Sequence, residues 1–199
     1  EKNLSSTGLK AKKYLLDREI SEQEILLYKV GFCFHGKYKN RVVIPSFDDK
    51  GDLNYFIARS FDSNKFKYMN PPASKDVVFN ELYIDWDIPV VLVEGFFDSL
   101  KYENSIPILG STLSRKSKLF TKIVQNCKKV YICLDKDARI KEFKIIKNLL
   151  DFGIEVCKIE LDEYFDLGEV PDNVLRELKK RASIITQEDY LIHKLNIGG

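Results

Sequence analysis

The chain has 199 residues, 44% of them hydrophobic, and its 32 basic and 30 acidic side chains leave a formal net charge of +2. That apolar content supports a real core and excludes an intrinsically disordered chain, and the near-cancelling charge makes segregation of sign along the chain the informative property. The four cysteines, Cys33, Cys127, Cys133 and Cys157, form no CxxC pair, and no apolar run nears the ~20 residues of a membrane span, so a soluble, cytoplasmic protein without a zinc ribbon is expected.

In chain order, the first ~30 residues read as two short helices, one around LKAKKYLLDR and one opened by the capping box Ser21 to Glu24 ahead of Ile25, Leu26 and Leu27. VGFCFH, RVVIPSF and LNYFIARSF follow, rich in β-branched and aromatic residues and separated by turn-like HGKYKN and DDKGD, which predicts an antiparallel meander. KYMNPPASK is a loop, because its two prolines forbid regular pairing. From residue 90 the apolar strands VVLV, IPIL, KVYICLD and VCKIEL alternate with helical stretches near FFDSLKY, SRKSKLFTKIVQN and ARIKEFKIIKNLLDF. That rhythm predicts an α/β fold with a parallel sheet covered on both faces. Gly153 is a natural helix stop, and the tail reads as two helices with Pro171 in a first turn and Thr186 as an N-cap. The expected division is residues 1–86, 87–170 and 171–199.

In a parallel α/β sheet, ligands collect beyond the carboxyl ends of the strands. Glu94 follows VVLV, Asp98 comes one turn later, Asp135 and Asp137 follow VYICL, and Asp166 and Glu169 lie in FDLGE. If those strands are neighbours, the acids repel one another unless a cation fills the cluster. Mg²⁺ suits such a set, since it takes a few carboxylates and bridges to substrate phosphates, and it would support phosphoryl-transfer or phosphodiester chemistry. The competing reading makes each acid a helix N-cap or first-turn residue. For Asp98 both readings stand, whereas two carboxylates as close as Asp135 and Asp137 at a buried strand end favour the metal.

Arg115, Lys116, Lys118, Lys122, Lys128 and Lys129 make one segment basic, either a guide for a nucleic-acid backbone or solvated helix faces. Lys141, Lys144 and Lys147 recur opposite Phe143, Ile146 and Leu150, as on an ordinary amphipathic helix. His35 and His193 lack ligand-like partners, and no Ser-His-Asp set or P-loop is present, which argues against helicase activity in this stretch.

Glu94-Gly95-Phe96-Phe97-Asp98 with Asp135-Lys136-Asp137 resembles the EGxxD and DxD pair of a TOPRIM domain, the fold shared by DnaG-type primases, topoisomerases and some nucleases. ILGSTLS, with Gly110, is similar to the strand-to-helix link of primase TOPRIM domains, and FDLGEV to their late acidic motif. Upstream, RVVIPSF, the DDKG turn, a strand carrying Arg59, KYMNPP and the segment to Leu82-Tyr83 resemble the basic subdomain that precedes TOPRIM in those primases. The likeness spans residues 9 to 170, and the end of the tail is similar to compact primases of phage type.

This resemblance implies a TOPRIM domain preceded by a small α+β basic subdomain and followed by a short helical segment. It implies a DNA primase, a template-directed RNA polymerase making short primers on single-stranded DNA from NTPs, with Mg²⁺ or Mn²⁺ and a replicative helicase as partner, in the host cytoplasm if phage-encoded. Carried over, Glu94 is the acid nearest the chemistry, with Asp135 and Asp137 catalytic beside it. The metal set becomes Glu94, Asp135, Asp137, Asp166 and Glu169, supported by Asp98, Gly95 and Gly110. Arg41, Arg59, Lys67, Tyr68 and Asn70 match residues placed on template and nucleotide phosphates. The chain departs from the pattern at Ala58, at Asn80 where a lysine is common, and at Arg139-Ile140 where a glycine is common; no stretch matches the family's zinc-binding module. A TOPRIM nuclease and a non-catalytic nucleic-acid-binding module are the alternatives.

Overall fold

In the computed structural model, which describes residues 5–62, 66–110 and 112–197, the chain divides into two units, residues 1–75 with 79–82 and residues 76–78 with 83–199. Ser111 of the GSTLS link and the side chain of His193 lie outside the described residues.

The first unit opens with α1 (Ser6–Leu16), capped where Ser5 Oγ accepts from Gly8 N at 3.2 Å. The box expected at Ser21 starts α2 (Glu22–Leu27): Ser21 Oγ accepts from Glu24 N at 3.2 Å while Ser21 N donates to Glu24 Oε2 at 2.8 Å. The meander follows as β1 (Gly31–Cys33), β2 (Arg41–Phe47) and β3 (Leu53–Ser60), antiparallel in the order β1-β2-β3. Val42 and Ile44 are wholly buried on β2, opposite Arg59 and Ile57 of β3. Asn80 explains its own presence. Its backbone is left-handed (φ 55°), a conformation asparagine tolerates, its N–H donates to Ser46 Oγ at 2.8 Å, and its Oδ1 accepts from Phe47 N at 3.4 Å. It clips the returning chain onto the end of β2.

The second unit holds a five-stranded sheet in the order β5-β4-β6-β7-β8, built from β4 (Val90–Val93), β5 (Ser105–Pro107), β6 (Lys129–Cys133), β7 (Glu155–Lys158) and β8 (Ser183–Ile185). The first four strands are mutually parallel, and β8 pairs antiparallel with β7. All four residues of β4 are fully buried, as a strand covered on both faces must be. Val90 and Leu92 pack with α4 (Lys118–Asn126) and α5 (Arg139–Leu150) through Phe120, Ile123, Ile145 and Leu149. Val91 and Val93 point the other way, to Tyr102 and to Leu175 and Leu178 of α6 (Asp172–Lys180).

The structure departs from the expected elements in the tail and at Pro171. The tail is not two helices alone, because Ser183–Ile185 adds an edge strand between α6 and α7 (Gln187–Ile197), pairing with β7, while Leu175 and Leu178 join the core beneath. Three residues carry too little periodicity to announce a strand, and the open edge of β7 decides the matter. The helix near FFDSLKY closes after one turn as α3 (Phe96–Ser99), and Pro171 precedes α6 as its N-cap. Cys127, Cys133 and Cys157 are buried free thiols and Cys33 is a half-buried one. Among the described residues no helix is long and apolar enough to cross a membrane.

Candidate functional site

Parallel pairing of β4 with β6 sets Val93 beside Cys133, so the two chains leave the sheet at one level and deliver Glu94 and Asp135 to the same edge. The turn after β4 is shaped by Asp98, whose Oδ2 accepts from Gly95 N at 2.8 Å. A Cβ on Gly95 would stand 3.1 Å from that oxygen, which is why the tight approach uses glycine. The link after β5 folds back as well. Leu109 and Gly110 are both left-handed (φ 51° and 78°), and Leu109 N donates to the Glu94 carbonyl at 3.1 Å.

These devices bring one carboxylate oxygen each of Glu94, Asp135 and Asp137 within 4.8 Å of one another. The Asp135 carboxyl is pushed up to about 7, first by burial and then by the charges of Asp98, Glu94, Asp166 and Asp137. Glu94 shares its Oε1 with the Lys141 ammonium, while its Oε2 is buried without a hydrogen-bond partner among the described residues. Hard carboxylate donors, a buried oxygen without a hydrogen-bond partner among the described residues and an acid that resists ionisation together suit a bound cation. The set fits Mg²⁺.

Asp166 and Glu169 stand differently. Asp166 Oδ1 accepts from Glu169 N at 3.2 Å and Glu169 Oε2 accepts from Phe165 N at 2.9 Å, so the two acids box the short turn they begin. Asp166 still adds its field to Asp135, whereas the Glu169 carboxylate is turned onto backbone and is not among the three converging acids. Lys136 ties the two acidic loops together, its N–H on the Phe165 carbonyl at 3.4 Å and its Nζ on the Asp162 carbonyl. Where a glycine was expected after DKDA, Arg139 starts α5 directly from a 3-10 turn over Lys136–Ala138.

In the first unit, the residues expected on template and phosphate separate into two groups. Arg41 is only 2% exposed, and its guanidinium donates to the carbonyls of Phe66 at 2.9 Å and Lys67 at 3.3 Å. It braces the chain rather than facing solvent, and no local pattern shows this because its acceptors lie some 25 residues away. Asn70 likewise serves backbone, with Oδ1 accepting from Ala58 N at 3.4 Å. Arg59, also buried, donates to Tyr68 Oη at 2.5 Å with its guanidinium 5.1 Å from the ring centroid. Lys67 and Tyr68, the latter 45% exposed, are the members that reach solvent.

The basic segment around 115–129 is partly committed, since Arg115 binds Asn148 at 2.8 Å and also Asp151, and Lys129 pairs with Glu155 at 3.0 Å. Lys141 is the site residue the sequence reading missed, having been set with Lys144 and Lys147 on a solvent face. One signal was available, its position a single helical turn beyond Asp137.

No family model matches the chain. The DNA primase of Clostridium acetobutylicum is 26% identical over 235 aligned positions, which cover 91% of this chain and 37% of that protein. The DNA primase of Thermotoga maritima is 26% identical, covering 76% of this chain and 30% of its own length. The chain therefore spans about a third of the length of these curated relatives. Among solved structures, the zinc-binding and RNA polymerase domains of the Aquifex aeolicus primase are 28% identical with a TM-score of 0.62, covering 91% of this chain and 50% of that one. A DnaG primase catalytic domain bound to single-stranded DNA matches at a TM-score of 0.80 and 16% identity, covering 96% of this chain and 76% of that one. The fold is that of a DnaG catalytic core.

Proposed function

From a chain that shares sequence with DNA primases and its fold with the DnaG catalytic core, we propose the catalytic core of a DNA primase, a template-directed RNA polymerase that joins NTPs into short RNA primers on single-stranded DNA. The observation that carries this reading is the convergence of Glu94, Asp135 and Asp137 within 4.8 Å in a chain 26% identical to such enzymes. Those three acids hold Mg²⁺, or Mn²⁺ in its place, with Asp166 contributing charge and Glu169 shaping the loop that carries it. A divalent ion bound there supplies Lewis-acid stabilisation of the phosphate and a more acidic attacking hydroxyl.

The chain's own groups do the positioning. Glu94 presents an Oε2 that has no hydrogen-bond partner among the described residues, Asp98 holds the turn at Gly95, and Gly110 helps close the link against the Glu94 backbone. On the first unit, Lys67 offers a compact positive charge to a phosphate and Tyr68 a ring on which a base can stack. Arg59 fixes that ring and Arg41 holds the segment bearing both residues, with Asn70 securing the neighbouring strand. A replicative helicase is the partner this reading entails.

The test is primer synthesis on single-stranded template with NTPs and Mg²⁺ or Mn²⁺, with and without a helicase or a zinc-binding module supplied in trans. Oligoribonucleotides dependent on template are expected. Their absence in every arm overturns the proposal, and cleavage of labelled DNA by metal without NTPs would assign the same acids to a nuclease.

A further inference from the structure

We propose that Lys141 is a resident cation of the acid cluster, one that holds a Glu94 oxygen when no metal is present and competes with the divalent ion for that carboxylate. Its charge then sets the metal concentration the site requires. The inference rests on the metal reading above and adds a residue that tunes it.

The pair is set inside the unit rather than on its surface. The Lys141 side chain is 17% exposed and that of Glu94 27%, so solvent and salt screen the contact far less than an ordinary helix ion pair. On the same helix, Lys147 pairs with Asp151 with nearly half of the lysine side chain exposed, and that contact is of the ordinary kind. Lys141 is held in place by its neighbour. Glu142, 4% exposed, is bound by Lys158 of β7 at 3.0 Å, and adjacent helical residues face different directions. Glu142 therefore pins the start of α5 to the sheet while Lys141 reaches Glu94 at the strand end.

An ammonium on a ligand carboxylate opposes an incoming cation in two ways. It repels the second positive charge at short range, and it occupies an oxygen that the metal would otherwise attract. Exchanging Lys141 for methionine keeps the aliphatic stem and its packing and removes only the charged head. On the full chain, without nucleotide, Mn²⁺ binding followed by the electron paramagnetic resonance of the free ion should tighten by roughly tenfold in Lys141→Met. Lys141→Gln should follow it, and Lys141→Arg, which keeps the charge, should bind as the parent does.

Unchanged or weaker Mn²⁺ binding in a folded Lys141→Met overturns the proposal and leaves the primase reading standing. So does loss of fold, by circular dichroism, in both neutral variants, since that would make the pair purely structural. A parent chain that binds no Mn²⁺ removes the metal reading itself and this inference with it.

Discussion

The two units treat charge in opposite ways. In the first, two cations that look functional are buried on partners of the same unit: Arg41 ends on two backbone carbonyls and an Arg59 Nη donates to the Tyr68 hydroxyl. In the second, anions gather with too few partners, leaving Glu94 Oε2 without one among the described residues and the Asp135 carboxyl at about 7. What sets the second unit apart is like charge held together: three carboxylates within 4.8 Å of one another, one of them pushed up by the charges of its neighbours. An arginine in a motif can therefore serve the fold, whereas clustered carboxylates at a strand edge suit a cation.

The sharpest way to break this contrast is to neutralise one side of it. Asp135→Asn with Asp137→Asn should reduce primer synthesis by about a thousandfold or more, as loss of a metal site does. The metal-free variant should melt no lower than the parent, because like-charge repulsion has been relieved. A clear fall in Tm would mean that these acids are structural. Arg41→Ala should show the reverse pattern. Removing the buried guanidinium and its two hydrogen bonds should destabilise the first unit by about 1–3 kcal/mol, read in chemical denaturation, with Mn²⁺ binding unaltered.

The dependence on pH tests the second unit's acid cluster. The folded-state value near 7 for Asp135 lies above its ordinary 3.8. Without metal, its stabilising contribution is therefore complete below about pH 4 and is lost as pH rises through about 7. Metal binding requires the ionised form, so affinity for Mn²⁺ should fall by up to about tenfold per unit as pH drops below 7. Asp135→Asn should remove the stability trend, and calorimetric melts across pH 5–8 would check it. Tyr68→Ala should weaken single-stranded DNA binding by about 1–3 kcal/mol, the usual worth of a stacked base, and should also lower Tm, because the buried Arg59 loses the hydroxyl it donates to. Fluorescence anisotropy at fixed salt measures this. The smallest effect belongs to Glu169→Gln, which keeps an acceptor for Phe165 N and should alter primer yield and stability by less than about 1 kcal/mol.

Much of this is legible in the sequence alone. The Ser21 box, the meander, the alternation from residue 90 and the placement of acids behind VVLV and VYICL are local patterns, set by side-chain period and capping chemistry over a few residues. Glu94, Asp135 and Asp137 were each visible as strand-end acids, and their meeting followed once β4 and β6 were neighbours. Less legible was what each charged side chain does once there. Glu169 carries the acid expected of a ligand but spends it on Phe165 N, and Lys141 carries the spacing of a solvent face but sits on Glu94.

By itself the sequence determined the elements, their order and the chemical types available at each strand end, because these depend on interactions between residues close along the chain. The tertiary structure alone decided that Arg41 is a brace, that Ser183–Ile185 is an edge strand and that Lys141 belongs to the acid cluster. Each of those outcomes depends on a partner 25 or more residues distant, and whether a charge is solvated, paired or left wanting is a property of that partner's position rather than of the residue's own neighbours.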